Sequence, residues 1–185
     1  MSKKSIEPHI ILTIDIYGYR NISFILKNVA NEILLMDNIL KIGSYYAIRT
    51  LIISKINELC NTYDIDMLIM EDNHLFIDKI DLHPDPLVLR DIRLGFGIQI
   101  SIDDVFHDKI KYIMQIPQRD WTRIILNPYS KYSIDLYKAH ILNNSYSEEQ
   151  LKTIEDNNYY KALCLSESIW FDKLIDKKYQ INKGD

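Results

Sequence analysis

The sequence predicts a single α/β domain, a central five-stranded mixed sheet flanked by helices, with its elements in the order β, β, β, α, β, α, β, α. Three observations predict it. The hydrophobic period changes from about 2 to about 3.6 at Ser44. Beyond that point short apolar runs alternate with amphipathic stretches, as strands do when helices connect them. The length of 185 residues, 47% of them hydrophobic, suffices for one cored domain and not for two, and no repeat or linker divides residues 1–185. The core is expected over about residues 9–175, with a short polar tail at each end.

The first strand is expected at residues 9–17 (HIILTIDIY) and the second at 20–27 (RNISFILK), both Ile-rich and joined as a hairpin through Gly18 and Tyr19. A third apolar run, Ile33 to Met36, continues the meander and stops before Asp37 and Asn38. From Ser44, a residue suited to N-capping, Tyr45, Ile48, Leu51, Ile52, Ile56 and Leu59 recur at helical spacing and predict a helix over 44–62. Residues 66–71 (DMLIME) are a short continuous apolar run ending in a carboxylate, the pattern of a buried parallel strand. Asp85 followed by Pro86 starts a helix that runs to residue 105, weakened somewhat by Gly95 and Gly97. Residues 109–116 (KIKYIMQI) alternate and stop at Pro117, which predicts the fifth strand. Two helical segments follow at 118–126 and 130–142, and Ser147 to Gln150 has capping-box spacing. A last helix over about 156–174 is expected to bury Tyr160, Leu163, Cys164, Trp170 and Leu174.

Composition excludes several classes. Lys+Arg number 22 against Asp+Glu 26, a net charge of -4, which argues against a partner held by a broad basic surface. Much of the acidity lies in residues 63–85, where seven acids face one lysine. No run of 18 or more uncharged apolar residues exists, so no membrane partner is expected. Glu7, Pro8 and His9 interrupt the N-terminal apolar stretch and Asp15 ends it, unlike a signal peptide. Cys60 and Cys164 lack partners at ligand spacing, which disfavours a disulfide framework and structural zinc and fits a reducing, cytoplasmic compartment. The histidines form no HxH or HxxxH pair; His74, near Glu71, is the one placed for a site role.

Three carboxylates occupy positions that this topology would bring together. Asp15 lies inside the apolar run of the first strand, where an unpaired charge would cost several kcal/mol, so it needs a cation or a hydrogen-bonding partner unless it turns to solvent at the strand end. Glu71 closes the strand expected beside the first. Asp156, in TIEDNNYYKALCLSES, stands at the expected start of the last helix, where it also reads as an N-cap. Carboxylates from separate elements are what two Mg²⁺ ions about 4 Å apart require to position a water and stabilise the leaving oxygen of a phosphodiester.

The element order is that of the ribonuclease H-like fold, and three stretches resemble the RuvC-like Holliday junction resolvases, including those of poxviruses and yeast mitochondria. IDIYGYRNIS at 14–23 is similar to that family's first-strand aspartate followed by Gly and a basic-Asn pair, LIMEDN at 68–73 to its fourth-strand glutamate, and EDNNYYKALCLSES at 155–168 to its last-helix acidic motif. The resemblance implies a homodimeric endonuclease that cuts branched DNA, with Mg²⁺ (or Mn²⁺) held by Asp15, Glu71 and Asp156 as catalytic residues, and by its poxviral side a viral origin. Two departures matter. One extra residue separates Asp15 from Gly18. The family's last motif carries two aspartates three residues apart, whereas here one register sets Asp156 and Tyr159 on them and the other sets Asn158 and Lys161. Neither register gives two acids.

Basic contacts to DNA are expected from Arg119, Trp121 and Arg123 in QRDWTR, with Lys131 and Lys138 beyond, an aromatic-basic interleaving suited to phosphates and bases; the alternative packs Trp121 in the core. Asp78, Asp81 and Asp85 read as a solvated loop. Glu167 lies eleven residues from Asp156, about 16 Å along a helix, too far to share its metal. The leading reading is therefore a metal-dependent, structure-selective endonuclease. The alternative is a non-catalytic module of the same fold, and a third is an unrelated α/β interaction protein.

Overall fold

Period-two alternation in Ile-rich segments builds the sheet. In the computed structural model, which describes residues 10–16, 21–28, 30–72, 86–126 and 134–168, the strands are β1 (Ile10–Asp15), β2 (Asn21–Asn28), β3 (Ile33–Leu40), β4 (Met67–Asp72) and β5 (Tyr112–Pro117). Their spatial order is β3-β2-β1-β4-β5. β1 pairs antiparallel with β2 and parallel with β4, β2 pairs antiparallel with β3, and β4 parallel with β5. The sheet is thus five-stranded and mixed, as expected, with β1 at its centre. The turn at Gly18 and Tyr19, His74, the acids at 78–85, Lys131, Trp170 and Leu174 lie outside the described residues.

Each face of the sheet is covered by its own helical layer. Leu12, Ile14, Phe24, Leu26, Leu68 and Met70 face α1 (Tyr45–Thr62) and α2 (Pro86–Phe106). Ile11, Ile25, Met67 and Ile69 face the second layer, α3 (Gln118–Ile125), α4 (Ile134–Leu142), α5 (Glu148–Asn157) and α6 (Tyr160–Glu167). Successive side chains of a strand point to opposite faces. Asp15 is in phase with Ile11, and Glu71 with Met67, so both acids belong to the second layer's side.

Ser44 caps α1 by accepting from the Ala47 N–H, and Ser147 and Gln150 form the capping box of α5. Gly97 is explained by a close helix crossing: a Cβ there would run into the Tyr45 ring. Beside it the Arg49 Nε donates to Ser101 Oγ at 2.6 Å, which ties α1 to α2.

Two expectations need correction. β3 does not stop at Met36 but runs through Asp37 and Asn38 to Leu40, because these residues pair with Phe24 and Ser23 and their side chains find partners. Asp37 Oδ2 lies 2.7 Å from the Lys55 ammonium on α1. The Asn38 amide donates to Asn157 Oδ1 at 3.1 Å and to the Tyr159 hydroxyl at 3.0 Å. Those two bonds mark the second correction: the last helix is not continuous from 156. α5 ends at Asn157, Asn158 takes the left-handed conformation (φ 56°), and a new helix begins at Tyr160.

A left-handed residue costs roughly 1–2 kcal/mol when it carries a side chain, most of all a β-branched one, and nothing for glycine. Asn158→Gly is therefore expected to match or exceed the parent in urea unfolding, and Asn158→Val to lose about 1–2 kcal/mol. Equal stability of the two variants would contradict the break as the determinant of where α6 starts.

Candidate functional site

Strand phase brings two acids together. β1 and β4 pair with Ile14 opposite Met70, so the next residues, Asp15 and Glu71, stand side by side at the carboxyl ends of adjacent parallel strands about 5 Å apart. Such ends are where open α/β sheets form ligand sites. The two side chains are only 5% and 3% exposed.

The third group is a cation. α6 packs on β1, and Lys161 in its first turn reaches between the acids, with Nζ 3.3 Å from Asp15 Oδ1 and 3.1 Å from Glu71 Oε1. Glu71 Oε2 accepts from the indole N–H of Trp121 at 3.1 Å, and the Glu71 carbonyl accepts from the Gln99 amide at 2.7 Å. Burial pushes the Glu71 carboxyl above its ordinary range; Lys161 pulls it down without cancelling the shift. Burial also works against the Lys161 ammonium, but Asp15 and Glu71 outweigh it and hold the amine protonated well above its ordinary range.

The expected site residues divide accordingly. Asp15 and Glu71 meet. Asp156 does not join them: it is exposed on α5, on the far side of the Asn158 break, and the register that sets Lys161 against the pair is the one the chain adopts. Trp121 is fully buried, so it is not available to stack on a base; it holds Glu71 and stacks on Tyr137, with centroids 5.6 Å apart. Arg123 is exposed on α3, while the side chain of Arg119 in the same helix lies outside the described part. Lys138 pairs with Glu155 at 3.1 Å and lies over the Tyr160 ring.

The described residues do not fit the two-ion centre that the resemblance implied. They supply two carboxylates, each already engaged by one ammonium, and among the described residues no group of three or more His, Cys, Asp or Glu side chains is placed to hold an ion.

Sequence reasoning missed a second cluster at the other end of α6. Glu167 Oε2 accepts from the His140 ring at 2.7 Å and from Asn144 at 3.0 Å, Oε1 accepts from the Tyr146 hydroxyl, and the fully buried Lys27 ammonium lies 4.0 Å away. The signal available was Glu167 on an apolar helix face, a buried charge that must be satisfied. It lies six positions after Lys161, about 9 Å along the helix, so α6 is pinned by polar contacts at both ends.

This is an α/β protein of the RuvC-like, ribonuclease H-like fold. The particular likenesses are to Thermus thermophilus RuvC and a yeast mitochondrial resolvase. RuvC in complex with Holliday junction substrate matches with a TM-score of 0.59 at 7% identity over 93% of this chain and 99% of that one. A second structure of Thermus thermophilus RuvC gives 0.60 at 7% with the same coverage. The yeast mitochondrial Holliday junction resolvase gives 0.54 at 11% identity, over 93% of this chain and 85% of that one. No family model matches the sequence, and no curated protein does. At these identities the likeness establishes the fold.

Two outcomes are expected. Trp121→Phe removes the indole donor along with part of the ring and strands a buried carboxylate oxygen of Glu71, which should cost at least about 1–3 kcal/mol in urea unfolding; a change within experimental error would mean that the indole N–H does not support Glu71. Burial pushes the Glu167 carboxyl up, but its bonds from His140 and Tyr146 and the Lys27 charge prevail and hold it below its ordinary 4.5. Its folded value lies below its unfolded one, so its contribution to stability is present above the ordinary value and is lost as pH falls through the folded value. Glu167→Gln should therefore be less stable than the parent at roughly pH 7, with the gap narrowing toward roughly pH 3; a pH-independent gap would contradict this.

Proposed function

We propose that the chain engages branched DNA of the four-way-junction type. The observation that carries the reading is a buried acid pair, Asp15 and Glu71, at the carboxyl ends of the two central parallel strands of a fold that, nearly end to end, is that of a protein solved on a Holliday junction. Arg123, exposed on the helix whose Trp121 holds Glu71, is assigned to phosphate. Lys131, Lys138 and Arg119 remain the further proposed contacts. Two copies would match the symmetry of a four-way junction, which makes a homodimer the proposed assembly.

Binding without hydrolysis is the form of this function that the site supports best, since Lys161 spans both acids. A second reading, hydrolysis assisted by Mg²⁺ or Mn²⁺ at Asp15 and Glu71, is favoured by one observation: both acids stand adjacent, one of them held by an indole donor, at the end of the sheet.

The test is fluorescence anisotropy with a synthetic four-way junction and a linear duplex of the same length. The junction should bind at least about tenfold more tightly, a difference of about 1.4 kcal/mol. Arg123→Ala should weaken both and reduce the salt slope by about one. Equal affinity for the two DNAs would contradict the proposal.

A further inference from the structure

We infer that Lys161 is a built-in counter-ion that takes the place of a divalent metal between Asp15 and Glu71, so that the acid pair is held without metal and is closed to metal-assisted cleavage. This deepens the branched-DNA reading by stating the chemistry of its site.

The gap between the acids is filled from one side. Asp15 Oδ1 and Glu71 Oε1, from two different strands, converge on the same Nζ at 3.3 and 3.1 Å. A Mg²⁺ ion binding both oxygens would need each at about 2.0–2.1 Å, and the ammonium would then repel it at close range. Glu71 cannot offer its other oxygen freely, because Oε2 is bound by Trp121. Nor is this a loose surface pair. The lysine side chain is 16% exposed and the acids less, on a helix whose start is fixed by the Asn158 break and whose far end is held by the Glu167 cluster. Among the described residues, the ammonium lowers the net charge of the acid pair from two negative charges to one.

Removing the ammonium should open the site. Lys161→Asp would set a third carboxylate on the side of the pair, and Lys161→Met would remove the charge while keeping most of the side-chain length. The experiment is Mn²⁺ binding to the full chain, read from the electron paramagnetic resonance of free Mn²⁺ without DNA, with Asp15→Asn as the site-specific control. The parent is expected to show no Asp15-dependent binding up to about 1 mM Mn²⁺, and either folded variant to bind at least about tenfold more tightly, with the gain abolished by adding Asp15→Asn. Four-way junction incubated with the parent and Mg²⁺ should stay intact. Asp15-dependent Mn²⁺ binding or junction cleavage by the parent would overturn the inference, as would folded Lys161→Asp and Lys161→Met proteins that bind no more than the parent. Should neither variant fold, the parent's own binding decides. The metal arm contains no DNA, so a failure of junction binding would count against the proposed function and leave this inference standing.

Discussion

Two carboxylates buried side by side cannot both stay ionised without a cation, and the arrangement of this molecule follows from how that cation is delivered. In this chain it comes from Lys161, covalently attached to α6. Removing one partner of a buried ion pair typically costs about 3–5 kcal/mol, because the remaining charge is left without compensation. Here that penalty would fall on two acids at once. The helix that carries the lysine therefore has to start at a fixed place and lie at a fixed angle. The left-handed Asn158 sets its start, the Asn38 bonds from edge strand β3 hold the residues on either side of it, and the Glu167 cluster anchors its far end.

The sheet and most of its helices were legible in the sequence because they rest on local periodicity. The alternation in IILTID and the run MLIME fix which residues share a face, and parallel pairing of those two strands follows from the helix between them. The adjacency of Asp15 and Glu71 was legible for the same reason. The β3 strand was read too short because Asp37 and Asn38 are poor strand formers taken alone; their partners, Lys55 and Tyr159, lie far away in sequence and no local pattern announces them. The split of the last helix was hidden likewise. Asn158 reads as a capping residue in either direction, and the choice between ending α5 there and starting a helix at Asp156 is made by tertiary bonds to β3.

That choice decided the site. With a continuous helix from Asp156, an acid would head the element facing β1; with the break, the residue in the first inward turn is Lys161. Two registers were open in the sequence, and they differ in the sign of the charge they present. Trp121 shows the same dependence on context. Between two arginines it read either as a stacking platform or as a core residue, and it is the second: its indole is buried as a donor to Glu71. The fold is shared with junction resolvases at 7–11% identity, and a shared fold does not fix the chemistry done on it.

The central claim is that an ammonium, and not a metal, occupies the space between Asp15 and Glu71. It is tested most directly by anomalous diffraction from crystals of the parent protein soaked in Mn²⁺. The account predicts no anomalous peak between the two carboxylates and a Lys161 side chain that still spans them. A peak within coordinating distance of both Asp15 and Glu71, with Lys161 displaced, would contradict it.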